Sequence, residues 1–254
     1  MQIHKKILVK PPTVSTIGNP ASWWLPARID QPELLDLGQG SPGEIQTSLA
    51  DLGRINRYLG GIEAVTRHLY PRIRTHTGNV SIADIGTGAA DLPQNIAQWA
   101  KRQPHRPHLI GVDLSAHHLA VARSHTQNFA QINFVQADAR ELPFQRNSVD
   151  YVISSLFIHH LTPEQVVALL RQLFTIARCG LIISDLVRGC LPLWAFKLGQ
   201  PIFAHSPITR YDGAVSIRRA YTPEEFLALA QAAGLAPVRV YRHWAWRMTL
   251  VVDK

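Results

Sequence analysis

The run Val80-Ser-Ile-Ala-Asp84-Ile-Gly86-Thr-Gly88-Ala-Ala-Asp91 reads as a buried strand, a glycine turn and the start of a helix. A dinucleotide-binding turn carries a third glycine where this chain has Asp91. That glycine lets helix and strand pack closely, and the helix start beside it receives a pyrophosphate. A carboxylate there repels phosphate, so the turn suits a nucleoside ligand that carries none. Two later strand-like runs also end in carboxylates, at Asp113 and at Asp138. After the apolar run Val149–Leu156 comes a histidine pair, His159-His160. Imidazole titrates near neutrality, which suits a general base. Further on, His205 and Arg210-Tyr211-Asp212 could orient a bound hydroxyl or carboxylate. Trp194, Phe196 and Phe203 near them describe a planar small-molecule pocket. Equally, Trp194 and Phe196 could only fasten that segment to the body of the fold.

These residues need a scaffold, and the apolar periodicity supplies one. Residues 1–40 are rich in proline and turn formers and read as an irregular arm. Over 43–75, Leu49, Leu52, Ile55, Leu59, Ile62, Val65 and Leu69 recur at helical spacing, with Gly60-Gly61 breaking the run into two helices or a kink. From Val80, strands and helices alternate. Strands are expected at Val80–Ile85, His108–Asp113, Ile132–Ala137, Val149–Leu156 and Gly180–Leu186. Helices follow at Asp91–Arg102, from the Ser115 cap to about Thr126, behind Thr162-Pro163-Glu164, and from Thr222-Pro223 to about Ala233 before Gly234. Val238–Trp244 and Arg247–Val252 close the chain as a strand pair. Alternating strands and helices with near-continuous apolar strands mean an α/β fold, a mostly parallel sheet covered on both faces. The closing pair brings the strands to seven, one of them antiparallel. The expected division is an arm with helices over 1–79 and a main domain over 80–254. Residues 187–221 break the alternation and read as a cap inserted after the fifth strand.

Composition narrows the function classes. The chain has 254 residues, and 46% hydrophobic content is enough for a full core. No apolar stretch approaches the roughly 20 residues of a membrane span, and the N-terminus lacks a signal-peptide core, so a cytoplasmic protein is expected. Cys179 and Cys190 are too few for a disulfide framework and lack metal-ligand spacing, so no metal is expected. Cys179 reads as a small buried residue entering a strand. The net charge of +8 raises a nucleic-acid partner. Yet no Lys/Arg run exceeds two residues and the charges are scattered, so a small-molecule partner is expected instead.

Asp84-Ile-Gly86-Thr-Gly88, followed in order by Asp113, Asp138 and Leu142-Pro143-Phe144, resembles the class I S-adenosylmethionine-dependent methyltransferases over about residues 80–252. The likeness is to their small-molecule branch, of methyltransferase type 11/12. It implies a Rossmann-like seven-stranded sheet and S-adenosyl-L-methionine as cofactor. Asp84 would order the turn Gly86-Thr87-Gly88 or approach the methionine ammonium. Asp91 would meet that ammonium through water, or simply favour the positive end of its helix. Asp113 would accept both ribose hydroxyls, with Leu114 beside it. Asp138 would accept the adenine amino group and the Ala139 N–H would meet the ring. Ser155, ending the fourth strand, completes the cofactor set. His160 or His159 would take a proton from the methyl acceptor, unless one caps the next helix or packs under the cofactor. His205 and Asp212 are the next candidates.

No Asn/Asp-Pro-Pro-Tyr/Phe motif follows the fourth strand, which argues against N-methylation of DNA adenine or protein glutamine. Asp51-Leu-Gly-Arg54-Ile-Asn56-Arg57-Tyr58-Leu-Gly60-Gly61 resembles a helical segment of small bacterial methyltransferases found beside polyketide-type genes. That points to O-methylation of a phenolic or polyketide-like hydroxyl. Arg54 and Arg57 would meet a carboxylate or form a solvated helix face. Asp138 through His160 also resembles the quinone-biosynthesis branch, so C-methylation of a quinone or polyketide ring is the alternative. Methylation of rRNA or tRNA, and a non-catalytic cofactor-binding scaffold, are the remaining readings.

Overall fold

Ser41 opens the first helix with reciprocal chemistry. Its side chain accepts from the Glu44 N–H, and the Glu44 side chain answers the Ser41 N–H. The resulting helix, α1 (Pro42–Tyr58), ends where Gly60 turns left-handed at φ +74. α2 (Gly61–Thr75) starts at once, so the Gly60-Gly61 interruption is a corner between two helices. The computed structural model describes residues 25–104 and 106–254. The Pro11-Pro12, Gly18-Asn19-Pro20 and Trp23-Trp24 part of the expected irregular arm lies outside the described residues.

The alternation then runs as β1 (Ser81–Ile85), α3 (Asp91–Ala100), β2 (His108–Asp113), α4 (Ala116–His125), β3 (Ile132–Gln136) and β4 (Val149–Ser155). A single 3-10 turn at Ile158–His160 leads to α5 (Pro163–Ile176) and β5 (Ala177–Leu186). Two helices, α6 (Cys190–Phe203) and α7 (Pro207–Arg219), occupy the cap segment. α8 (Pro223–Ala232), β6 (Val238–His243) and β7 (Arg247–Asp253) complete the chain. Ser115, Thr162 and Thr222 each cap the helix expected of them. β5 begins three residues earlier than Gly180. Ala177, next after α5, is already extended and pairs with Val149, so the register with β4 recruits it. Cys179 accordingly lies half-buried within β5 rather than buried at its entrance.

The seven strands form one sheet in the order β3-β2-β1-β4-β5-β7-β6. Only the pairings of β7, with β5 and with β6, are antiparallel. The fold class is therefore the Rossmann-like α/β sheet expected. Successive strand residues face opposite layers. Ala83, Ile85, Leu181 and Ile183 pack with Leu170 of α5 and Phe226 of α8. Ile82 and Ile182 pack with Val65, Leu69 and Ile73 of α2 and Ile96 of α3. The cap is tied to α1 through buried Asp51, whose Oδ2 accepts the N–H groups of His205 and Ser206 at 2.7 and 2.8 Å. Among the described residues, no helix is long and apolar enough to cross a membrane.

Candidate active site

Ligands in open α/β sheets bind at the carboxyl ends of the strands. Here that end opens into a cavity of about 1200 Å³. Its floor is the ends of β1, β2 and β4, and α1, α6 and α7 contribute to its walls. Asp84, Gly86, Thr87, Gly88, Asp91, Asp113, Leu114, Asp138, Ala139 and Ser155 all line it, as do His159, His160 and Asp212. His205 does not, nor do Arg210 and Tyr211.

The glycine turn has a specific geometry. Gly86 sits at φ +73, and a Cβ there would lie 2.8 Å from the Phe157 ring. Gly88, at φ +53, faces open space, with no heavy atom within 4 Å of an added Cβ. Buried Asp84 accepts from the Thr87 hydroxyl at 2.7 Å, so it orders the turn. Burial, with Asp113 and Asp91 nearby, pushes its carboxyl up to about 7. Such a group is poised to ionise beside an arriving cation.

Asp113 braces the same turn from β2. It accepts the Gly88 N–H and the Ser115 N–H, each at 2.9 Å, and His118 Nδ1 lies 3.4 Å away. Burial opposes its charge, but these partners hold it below the usual carboxylate range. A carboxylate has about four acceptor sites, so lone pairs remain for a ligand. Asp91 stands at the start of α3 with its carboxylate 3.3 Å from where a Gly53 Cβ would be. Burial raises its pKa. Asp138 is paired within its own loop, accepting from Arg140 Nε at 3.0 Å and from the Arg140 N–H at 2.9 Å. Any contact with an adenine amino group competes with that pairing. The Ser155 hydroxyl is buried with no hydrogen-bond partner.

The two histidines, indistinguishable by sequence, differ sharply in surroundings. His159 is 2% exposed, with Nδ1 at 2.7 Å from Asp185 and Nε2 at 3.3 Å from Glu33. Burial disfavours its charge, yet Asp185 and Glu33 outweigh burial and push it up to about 10. It is an imidazolium with both nitrogens engaged, and it has no lone pair with which to accept a proton. The expectation of His159 as base is corrected on that ground. His160 is partly exposed, and its Nδ1 lies 2.7 Å from Asp36. Among the described residues its Nε2 has no hydrogen-bond partner. With Nδ1 donating to Asp36, the Nε2 lone pair is left to accept.

Two other candidates are diverted. His205 Nδ1 lies 3.0 Å from Asp51 and 3.1 Å from Arg54, outside the cavity, where it joins the cap to α1. Asp212 lines the cavity but accepts the N–H groups of Leu34 and Leu35 at 2.8 and 3.0 Å. Burial pushes it up to about 6. Its carboxylate pins residues 33–38 beside the His pair. Phe196 and Phe203 line the cavity, whereas Trp194 is exposed. Arg54 pairs with Asp51 rather than with a ligand.

Sequence reasoning missed Glu33, Asp36, Asp185 and Arg247, all of which line or border the cavity. Asp185 lies near the carboxyl end of β5, as Asp113 does on β2, and the same rule would have found it. Glu33 and Asp36 lie in a stretch without periodicity and carry no such signal.

Residues 82–180 match the family model for a methyltransferase domain. A demethylmenaquinone methyltransferase of Staphylococcus carnosus is 34% identical over 129 residues, which is 46% of this chain and 53% of that protein. One of Staphylococcus saprophyticus is 30% identical over 131 residues, 46% of this chain and 55% of that protein. The chain thus spans about half the length of the curated relatives it matches. Among solved structures, the plantazolicin methyltransferase BpumL in complex with SAH superposes with a TM-score of 0.65 at 17% identity, covering 87% of this chain and 94% of that one. A SAM dependent methyltransferase from Aquifex aeolicus gives 0.57 at 14% identity, over 85% of this chain and 99% of that one. The strand order, the turn after β1 and the methyltransferase-domain match over residues 82–180 fall on the same part of the chain, and its fold is that of S-adenosylmethionine-dependent methyltransferases.

Proposed function

We propose that this protein methylates a hydroxyl of a small phenolic or polyketide-like acceptor. The observation that carries this reading is His160, held by Asp36 at 2.7 Å beside the end of β4, with its other nitrogen unpartnered in the cavity. The cofactor half of the cavity suits S-adenosylmethionine. The turn leaves open space at Gly88, and the Ser155 hydroxyl lacks a partner. Asp84 gains charge most readily beside a cationic ligand. When bound, S-adenosylmethionine supplies an electrophilic methyl group. Asp113 and the turn orient the nucleoside. His160 Nε2 takes the proton from the acceptor hydroxyl, and Asp36 stabilises the imidazolium that forms. Phe196 and Phe203 line the cap side of the cavity.

Labelled S-adenosylmethionine incubated with a panel of phenols, read by mass spectrometry, tests the activity. His160→Ala should lower turnover by roughly 10²–10⁴-fold and remove a limb of the pH–rate profile, leaving S-adenosylhomocysteine affinity nearly unchanged. If that variant keeps most of the rate at every pH, no hydroxyl proton passes through His160. The second reading is C-methylation of a quinone ring, favoured by the demethylmenaquinone methyltransferases among the relatives. A product whose new methyl resists ether cleavage would establish it.

A further inference from the structure

Arg247 opens β7 and is almost fully buried, 2% exposed, yet it lines the cavity. β7 runs antiparallel to β5 and pairs Arg247 with Leu186, so this residue shares the carboxyl end of the sheet with His159 and Asp185. Its Nε and Nη1 are buried with no hydrogen-bond partner. Burial pushes the guanidinium down to about 10, so it stays charged at neutral pH. The carboxylate that offsets it, Asp185, is already occupied. Its oxygens accept from His159 Nδ1, the His159 N–H and the Leu186 N–H at 2.7–2.9 Å. A buried guanidinium without hydrogen bonds is strongly unfavourable, and such a group in a native fold asks for a missing partner.

The neighbouring turn gives that partner a shape. Trp244, Ala245 and Trp246 join β6 to β7 and line the cavity. Ala245 and Trp246 stand at φ +55 and +52, left-handed conformations that non-glycine residues rarely adopt. The Val187 N–H donates to the Trp246 carbonyl at 2.9 Å and holds the turn there. Both indoles are exposed. In the strand order, Arg247 stands two strands beyond β4, on the side away from Asp84 and Asp113. It therefore lines the part of the cavity away from Asp84 and Asp113.

We propose that Arg247 determines acceptor specificity by binding a carboxylate carried on a planar aromatic acceptor, whose ring lies against the tryptophan turn. The proposal rests on the small-acceptor reading above. One edge of the guanidinium, Nη2 with either Nη1 or Nε, would donate to the two carboxylate oxygens, satisfying a donor that now has no partner. The aromatic ring would gain from the indole faces. A neutral acceptor of the same shape would leave the guanidinium unpaired.

The test is calorimetric titration of salicylate and of its neutral isostere salicylamide into the full chain saturated with S-adenosylhomocysteine. Wild type should bind salicylate about tenfold tighter or more, as a charge-assisted pair predicts. Arg247→Met should bring the two probes to about equal affinity, and Arg247→Lys should keep part of the preference. The Arg247→Met unfolding midpoint should hold or rise, because a buried unpaired charge is replaced by an apolar chain of similar length. A merely structural arginine would lower that midpoint and leave the probe ratio alone. Equal affinities in wild type, no binding of either probe, or a preference that survives Arg247→Met would each overturn the proposal. If Arg247→Met does not fold, the wild-type ratio and the Arg247→Lys ratio still decide it. Wild-type protein that does not bind S-adenosylhomocysteine at all would refute the methyltransferase reading first, and this proposal with it.

Discussion

Replacing His159 by Gln tests the buried network beneath the cavity. Glu33 and Asp185 are 7% and 1% exposed, and the imidazolium stands between them at 3.3 and 2.7 Å. Gln keeps hydrogen-bonding capacity but removes the charge, leaving two buried carboxylates to repel each other. Breaking a buried ion pair by deleting one partner costs about 3–5 kcal/mol. That is a large share of the roughly 5–15 kcal/mol that holds a domain folded. The pH dependence gives an independent handle. The folded pKa of His159, about 10, lies above the ordinary 6.5 expected once unfolded. Its stabilisation is therefore fully present below pH 6.5 and is lost as pH rises toward 10. Urea unfolding followed by circular dichroism between pH 6 and pH 10, about the range of that titration, should show wild-type stability falling toward the alkaline end. His159→Gln should be weaker by about 3–5 kcal/mol at pH 7 and should lack that alkaline slope. Its deficit should shrink toward about pH 5, as the orphaned carboxylates take protons. A deficit under about 1 kcal/mol, or an unchanged alkaline slope, would show that His159 is not the network's cation.

Asp113→Ala should weaken S-adenosylhomocysteine binding by about 1–3 kcal/mol in calorimetry, because it unbraces the Gly88 N–H and removes the carboxylate expected to accept from the ribose hydroxyls. An unaltered dissociation constant in a folded variant would remove Asp113 from the site. Gly86→Ala should destabilise more than Gly88→Ala. Both incur the left-handed backbone penalty of about 1–2 kcal/mol, but only the first drives a Cβ to 2.8 Å from Phe157. Denaturant midpoints that reverse this order would contradict the turn geometry. His68 lies 3.3 Å from His243, nitrogen to nitrogen, and burial with that neighbour lowers its pKa from 6.5 to about 4. The unfolded chain then binds the extra proton, so the contribution is whole above pH 6.5 and is lost as pH falls toward 4. His68→Asn should flatten the slope of stability between those values, and an unchanged slope would place the acid-sensitive group elsewhere.

Much of the architecture was legible because its signals are local. β1, β4 and β5 are buried on both faces and read as apolar runs. Ser115, Thr162 and Thr222 announce helix starts within three residues of themselves, by hydrogen bonds the chain makes with its own next turn. The glycine turn is legible for the same reason, since φ and the space for a side chain are decided within a few residues. The acid–base assignment was not. His159 and His160 are neighbours in sequence, but their partners come from far away. Asp36 reaches His160 across 124 positions, and Asp185 meets His159 from the next strand, 26 positions on. Asp51 captures His205 from 154 positions away and takes it out of the cavity. Arg247 looked like an ordinary residue entering a strand, and only the β5–β7 register places its guanidinium beside a carboxylate that is already occupied. Backbone conformation and helix caps are short-range properties that residue types determine directly. The charge state of an imidazole or a guanidinium depends on what burial and pairing place within a few ångströms, and only the tertiary structure decides that.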